Sequence, residues 1–122
     1  MQFMLLIYDD EAVWSGMPEE EQNAFMGEYF AYTEELKQSG KYVAADALQP
    51  TSTAKTVQLR DGAPLTTDGP FAETKEQLGG YYLVDVDSEE EALEWAGKIP
   101  SAKYGKIEVR PVVVFPVEAT AS

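Results

Sequence analysis

The 122-residue chain has no cysteine and no histidine, and it has nine lysines and arginines against 22 acidic residues. Each shortage closes off some chemistry. Without cysteine there is no disulfide and no thiolate nucleophile, which fits a cytoplasmic location. Without histidine the commonest neutral-pH base and the commonest metal ligand are both missing. Ser-His-Asp and Cys-His mechanisms are therefore excluded. Basic side chains are so few that the net charge is -13, which repels nucleic acid and anionic membranes, and neither is expected as a partner. No apolar run approaches the roughly 18 residues of a transmembrane helix. The start, MQFMLLIYDDEA, lacks a basic flank and reads as a buried strand rather than a signal peptide. No glycine-rich loop leads into a helix with a phosphate-binding lysine, so nucleotide hydrolysis has no support.

What is present is an ordinary globular composition, with 44% hydrophobic and 25% charged residues. Its length suits one domain. Phe3 to Tyr8 is a continuous apolar run of strand length, expected to be buried on both faces. Asp9 to Met17 reads as a loop. Pro18 is expected at the first helical position, ahead of Glu19-Glu20-Glu21, whose charges suit a helix N-terminus. Phe25, Tyr29, Tyr32 and Leu36 recur at helical spacing, so a helix is expected over 18–39, with Gly40 just past its end. The rings of that stripe can pack against a sheet or line a cavity.

Tyr42 to Leu48 reads as a short strand and Gln49 to Ser52 as a turn. Ala54 to Arg60 alternates like a half-exposed strand, and Asp61-Gly62 signals a hairpin. Pro64 makes the returning strand short and places it at an edge. After Gly79-Gly80 comes a second apolar run, Tyr81 to Val86. Ser88 and Glu91 form a capping box for a helix that Pro100 ends. The last strand lies within Ile107 to Val117. Residues 1–116 are thus expected as the domain and 117–122 as a fraying tail.

The order is β-α-β, a hairpin insertion, then β-α-β. Right-handed crossovers put both helices on one face of a single sheet. This is an α+β, ferredoxin-like split β-α-β arrangement with a β-hairpin insertion. Nothing in the chain is left to cover the other sheet face, so a second subunit's sheet is expected there, giving a homodimer or a higher homo-oligomer.

The segment TTDGPFAETKEQLGG, residues 66 to 80, is first of all turn chemistry. It also carries Phe71, a large apolar residue with no obvious cover, and it runs straight into a central strand. Loops of this kind often carry function. Thr67-Asp68-Gly69-Pro70-Phe71, then Glu73-Thr74-Lys75-Glu76 and Gly79-Gly80, resemble the signature of DGPF-type proteins of the YCII-related family. Phe3 to Tyr8, Leu48-Gln49-Pro50, Val57 to Gly62 and Ile107 to Val112 resemble it too, so the likeness spans roughly residues 1 to 115.

That resemblance implies sheet-to-sheet association of the dimeric α/β-barrel type and a cleft beside the sheet lined by the signature loop. It implies small organic molecules as ligands, since some members resemble lyases or dehalogenases thought to use a His-Asp pair. It also implies a bacterial context in which such proteins accompany extracytoplasmic-function sigma factors. No histidine exists here; its position falls near Tyr29, with Asp46 where the next strand ends.

The candidate catalytic groups are therefore Asp46 or Asp68 as base and Tyr29 as hydrogen-bond donor. Tyr8, Trp14, Gly69, Pro70, Phe71, Glu73 and Lys75 are candidate ligand-binding residues. Each has a plainer role open to it. Asp68 can be an Asx-turn residue, Glu73 and Lys75 a surface ion pair, and the rings core packing. Asp9-Asp10-Glu11 is a weak metal motif, because neighbouring side chains diverge and hard ions need more oxygens. No metal and no cofactor is expected. Three classes stay open: a small-molecule-binding or regulatory module, a histidine-independent enzyme, and an interaction protein with a vestigial cleft.

Overall fold

The expected β-α-β halves are present. A computed structural model describes residues 1–116; the 117–122 tail and Val117, the last residue of the expected closing strand, lie outside the described residues. The elements run β1 (Gln2–Asp9), α1 (Glu11–Ser15), α2 (Glu19–Gln38), β2 (Tyr42–Ala47), β3 (Lys55–Arg60), β4 (Ala63–Asp68), β5 (Gln77–Asp85), α3 (Glu89–Gly97) and β6 (Lys106–Pro111). The main sheet has the order β2-β5-β1-β6, with every neighbouring pair antiparallel. β5 lies between β1 and β2, and β1 between β5 and β6, which is the ferredoxin-like split β-α-β topology.

The two faces of this sheet differ. Phe3, Leu5 and Ile7 of β1 and Tyr82 and Val84 of β5 are buried under Tyr32 and Leu36 of α2 and Ala92, Ala96 and Ile99 at α3. Each fully buried Leu or Ile in this layer contributes about 1.5–3 kcal/mol. The alternate residues Met4, Leu6, Tyr8, Tyr81 and Leu83 are only part-buried. The apolar run of β1 is therefore not buried on both faces within one chain. Among the described residues no further layer covers the face away from the helices.

Several boundaries move for local reasons. The expected loop after β1 contains α1, whose N-cap Asp10 accepts a bond from the Ala12 amide at 2.9 Å. Five residues are too few to show helical periodicity. Pro18 is the N-cap of α2, with extended backbone, rather than its first helical residue. Gly40 takes a positive φ of 80° just past the helix, as expected. At α3, Ser88 Oγ accepts from the Glu91 amide at 3.2 Å, while the Glu91 carboxylate reaches the Asp87 amide at 3.1 Å. The capping box is thus made with the return bond shifted by one residue. β5 begins at Gln77, so Gly79 and Gly80 lie inside it, and β6 ends at Pro111.

β3 and β4 form a separate two-stranded ribbon. Asp61 and Gly62 turn it, both with positive φ (53° and 79°), as a two-residue turn of that twist requires. The Gly69 amide donates to the Ala54 carbonyl at 2.8 Å and closes its base.

Candidate functional site

A cavity of about 670 Å³ opens at the Asp9 end of β1, on the helix-covered face. Small residues make the room. On this face β2 presents Ala45 and Ala47, which pair with Tyr82 and Gly80 of β5. A side chain at Gly80 would meet the Asp46 carbonyl oxygen at 2.8 Å. Gly79 is the extra residue of a bulge, because Ile7 pairs with Gly80 and Tyr8 with Leu78. Helices that are packed tightly at Leu36 thus stand off from the sheet at its other end.

The opposite wall is aromatic. Phe25 of α2 meets Tyr29 and Tyr104 edge-on, with centroids 5.4 and 5.6 Å away, and Trp14 at 6.2 Å. Gln22 Nε2 donates to the Trp14 carbonyl at 2.8 Å and fastens α1 to α2. Glu11 anchors the other side, accepting from the Thr51 amide at 2.8 Å and its hydroxyl at 2.6 Å.

The polar groups gather at the floor. Strand parity turns Asp9 to the same side as Ile7 and into the cavity. Gly105 lets it approach: a Cβ there would lie 2.1 Å from the Tyr8 carbonyl oxygen and 2.8 Å from Asp9 Cβ. Ser101 is 2% exposed, and its Oγ lies 2.5 Å from the Tyr29 hydroxyl. Burial raises the Asp9 pKa, hydrogen bonding from Ser101 opposes this, and the charges of Glu11, Glu76 and Asp10 raise it further. Burial likewise pushes Tyr29 up to about 12, so it remains a neutral hydroxyl at physiological pH. Tyr29, Ser101 and Asp9 thus form a short polar relay inside an apolar wall. Beside it, Thr33 Oγ1 and the Tyr82 hydroxyl share a bond of 2.6 Å.

Of the residues singled out from the sequence, Trp14, Tyr29 and Asp46 line this cavity. Asp46 is exposed at its edge and accepts from the Tyr81 hydroxyl at 2.8 Å. It stands at a strand end facing solvent. Tyr8 is on the open sheet face, 3.4 Å from Glu108. Asp68 ends β4, with an 86%-exposed side chain paired to Lys55. Gly69, with φ of 95°, and Pro70 form the turn beyond it. Phe71 is 92% exposed. Glu73 and Lys75 are exposed, and among the described residues they form no ion pair with each other. In one chain none of these signature-loop residues reaches the cavity.

Asp9 and Ser101 were not legible as site residues. Asp9 was visible only as part of an acidic run, and the strand parity that separates it from Asp10 was the usable signal. Ser101 follows Pro100 at a helix end and carries no local mark. The acidic run does not converge: Asp10 caps α1, Glu11 holds Thr51, and no metal-sized cluster occurs among the described residues.

Comparison with known proteins agrees with the fold. A Rhizobium meliloti protein described as uncharacterised is 38% identical over 117 residues, covering 94% of each chain. The 5-chloro-2-hydroxyhydroquinone dehydrochlorinase of Burkholderia phenoliruptrix, solved with 2,5-dihydroxybenzoquinone, superposes with a TM-score of 0.54. That match covers 93% of this chain and 94% of the other at 16% identity, which establishes likeness of fold. The YCII-related domain signature matches residues 1–116, and the chain belongs to the YCII-related family.

Proposed function

We propose that the protein binds a small organic molecule in the cavity between the Asp9 end of the sheet and α2, as a binding or regulatory module. The observation that carries this is the cavity's construction. About 670 Å³ falls within the range of small-molecule sites, and an apolar wall with a few converging polar groups is their usual make-up. The ligand's body lies against Trp14, Phe25 and Tyr104, and its polar end meets Asp9, Ser101 and Tyr29.

A second reading is supported by the relay itself. A carboxyl group with a raised pKa beside a neutral tyrosine can exchange a proton with a bound substrate. Asp9 would then take the role that the sequence suggested for Asp46 or Asp68, with Tyr29 as hydrogen-bond donor. The fold's likeness to a dehydrochlorinase that acts on a small molecule is in keeping with this enzyme alternative.

The subunit is proposed to dimerise through the open sheet face, in the dimeric α/β-barrel manner. Asp68, Gly69, Pro70, Phe71, Glu73 and Lys75 are candidates in that assembly, where a partner's cavity mouth offers Phe71 the apolar cover it lacks in its own chain. Action beside an extracytoplasmic-function sigma factor in the cytoplasm extends the regulatory reading and rests on family resemblance alone.

A thermal-shift screen of small organic compounds tests the site. Hits are expected to stabilise the protein and to lose their effect in Ala47→Leu, which fills the cavity. Shifts that survive Ala47→Leu unchanged would place the ligand elsewhere. If a hit is turned over, Tyr29→Phe should lower kcat by about 10²-fold or more; unchanged kcat would remove the relay from catalysis.

A further inference from the structure

We infer that the ligand of this cavity is a small organic ammonium ion, a single positive charge on an apolar body. The inference rests on the binding reading above and adds the charge of the ligand to it. Asp9, Glu11 and Asp46 line the cavity, with neither lysine nor arginine among the described lining residues. The Glu11 carboxylate is held by Thr51 and that of Asp46 turns to Tyr81, so Asp9 is the carboxylate that faces the interior. An anionic ligand would find no countercharge there. The basic groups beside this corner are already paired: Lys106 with Glu76, and Lys103, whose Nζ lies 5.9 Å from the centre of the Tyr104 ring, with Glu28.

The aromatic wall points the same way. Trp14, Phe25, Tyr29 and Tyr104 surround one end of the cavity with ring faces and edges. Ring faces attract cations, most strongly where water is excluded. A neutral aromatic ligand would use the same apolar surface but would leave the charge of the floor unanswered.

Asp9 is the third observation. Among the described residues it forms no ion pair, although seven such pairs occur elsewhere. It is part-buried with a one-sided set of charged neighbours: Glu11, Glu76 and Asp10 all raise the cost of its negative charge. The polar groups beside it, Ser101 and the Tyr29 bonded to Ser101, are neutral hydroxyls. An ammonium group seated between Asp9 and the rings would relieve that repulsion. A bare metal ion would not serve, because the acidic side chains do not converge on one point.

Titration calorimetry on the full chain distinguishes the ligand classes with three matched probes: 2-phenylethylammonium chloride, 2-phenylethanol and sodium phenylacetate. The ammonium ion should bind at least about tenfold more tightly than the alcohol, as expected for a charged hydrogen-bond partner. Phenylacetate should show no binding. Asp9→Asn should remove the ammonium ion's advantage over the alcohol, and a cooperative thermal melt like the parent's shows that the variant is folded. Ala47→Leu should remove binding of both. Equal affinity for alcohol and ammonium ion in the parent protein would overturn the charge assignment and leave the cavity reading standing. Ammonium binding that persists in Ala47→Leu would assign it to the acidic surface and overturn the inference. If none of the three probes binds, both readings fall.

Discussion

Asp9 holds its position against its own electrostatics. Burial and three like charges disfavour its ionised form, so the folded state binds its proton more tightly than the unfolded chain does. The sign follows directly. Between the unfolded pKa, near 3.9, and the raised folded value, the native state holds more protons, and stability falls as pH rises through that window. Above it the full penalty is present. Asp9→Asn removes the ionisable group while keeping its shape. It should raise the melting temperature at pH 7 and flatten the decline in stability that sets in as pH rises from about 4 toward neutrality. Thermal melts across that range in both proteins measure this. A variant less stable than the parent at pH 7 would show that the Asp9 charge is already compensated. A residue that costs stability at a cavity floor is the pattern expected of a ligand site rather than of a core position.

At the scale of elements, most of the architecture was readable, whereas of the site only Trp14, Tyr29 and Asp46 were. The strands, both long helices, the Asp61-Gly62 turn and the end of α2 at Gly40 follow from local chemistry: apolar runs, helical spacing and positive-φ residues. The cavity comes from subtraction. Ala45, Ala47 and Gly80 create space only because register brings them together on one face, and register is a long-range property. Ser101 becomes a site residue because α3 returns it to Tyr29, 72 positions away in sequence.

The ribbon of β3 and β4 is the element whose role shifted most. Its signature loop looked like part of the cleft, yet the ribbon is paired only with itself. Val57 and Leu59 are exposed on it. Isolated two-stranded ribbons are marginal in water, so its contribution to the subunit's own stability should be small. Replacing residues 55–68 by a short Gly-Ser turn between Ala54 and Gly69, already joined by a backbone bond, should leave helical content and cooperative unfolding intact. Circular dichroism and a thermal melt check this. Loss of the cooperative transition would mean that the ribbon is integral to the fold.

For the whole molecule, layer count and charge pull in opposite directions. The helices cover one face of the sheet and leave Met4, Leu6 and Leu83 part-buried on the other. A sheet face with that much apolar surface is stable when a second layer covers it. Two-fold pairing through it would join two chains of net charge -13, a combined charge of 2 × -13 = -26. Those charges repel, and salt screens exposed charges beyond about 10 Å at 0.1 M. The proposed dimer should therefore tighten as ionic strength rises, the reverse of an interface held by ion pairs. Leu6→Glu places a further charge in the middle of the open face and should give a folded monomer of 13.5 kDa, because an unpaired charge cannot be buried there without a large penalty. Light scattering after size exclusion, at low and at moderate salt, measures both effects. A dimer that weakens with salt, or that survives Leu6→Glu, would move the interface off this face. Loss of the dimer together with loss of ligand binding would mean that the cavity is completed by the partner, which is where an exposed Phe71 would find its cover.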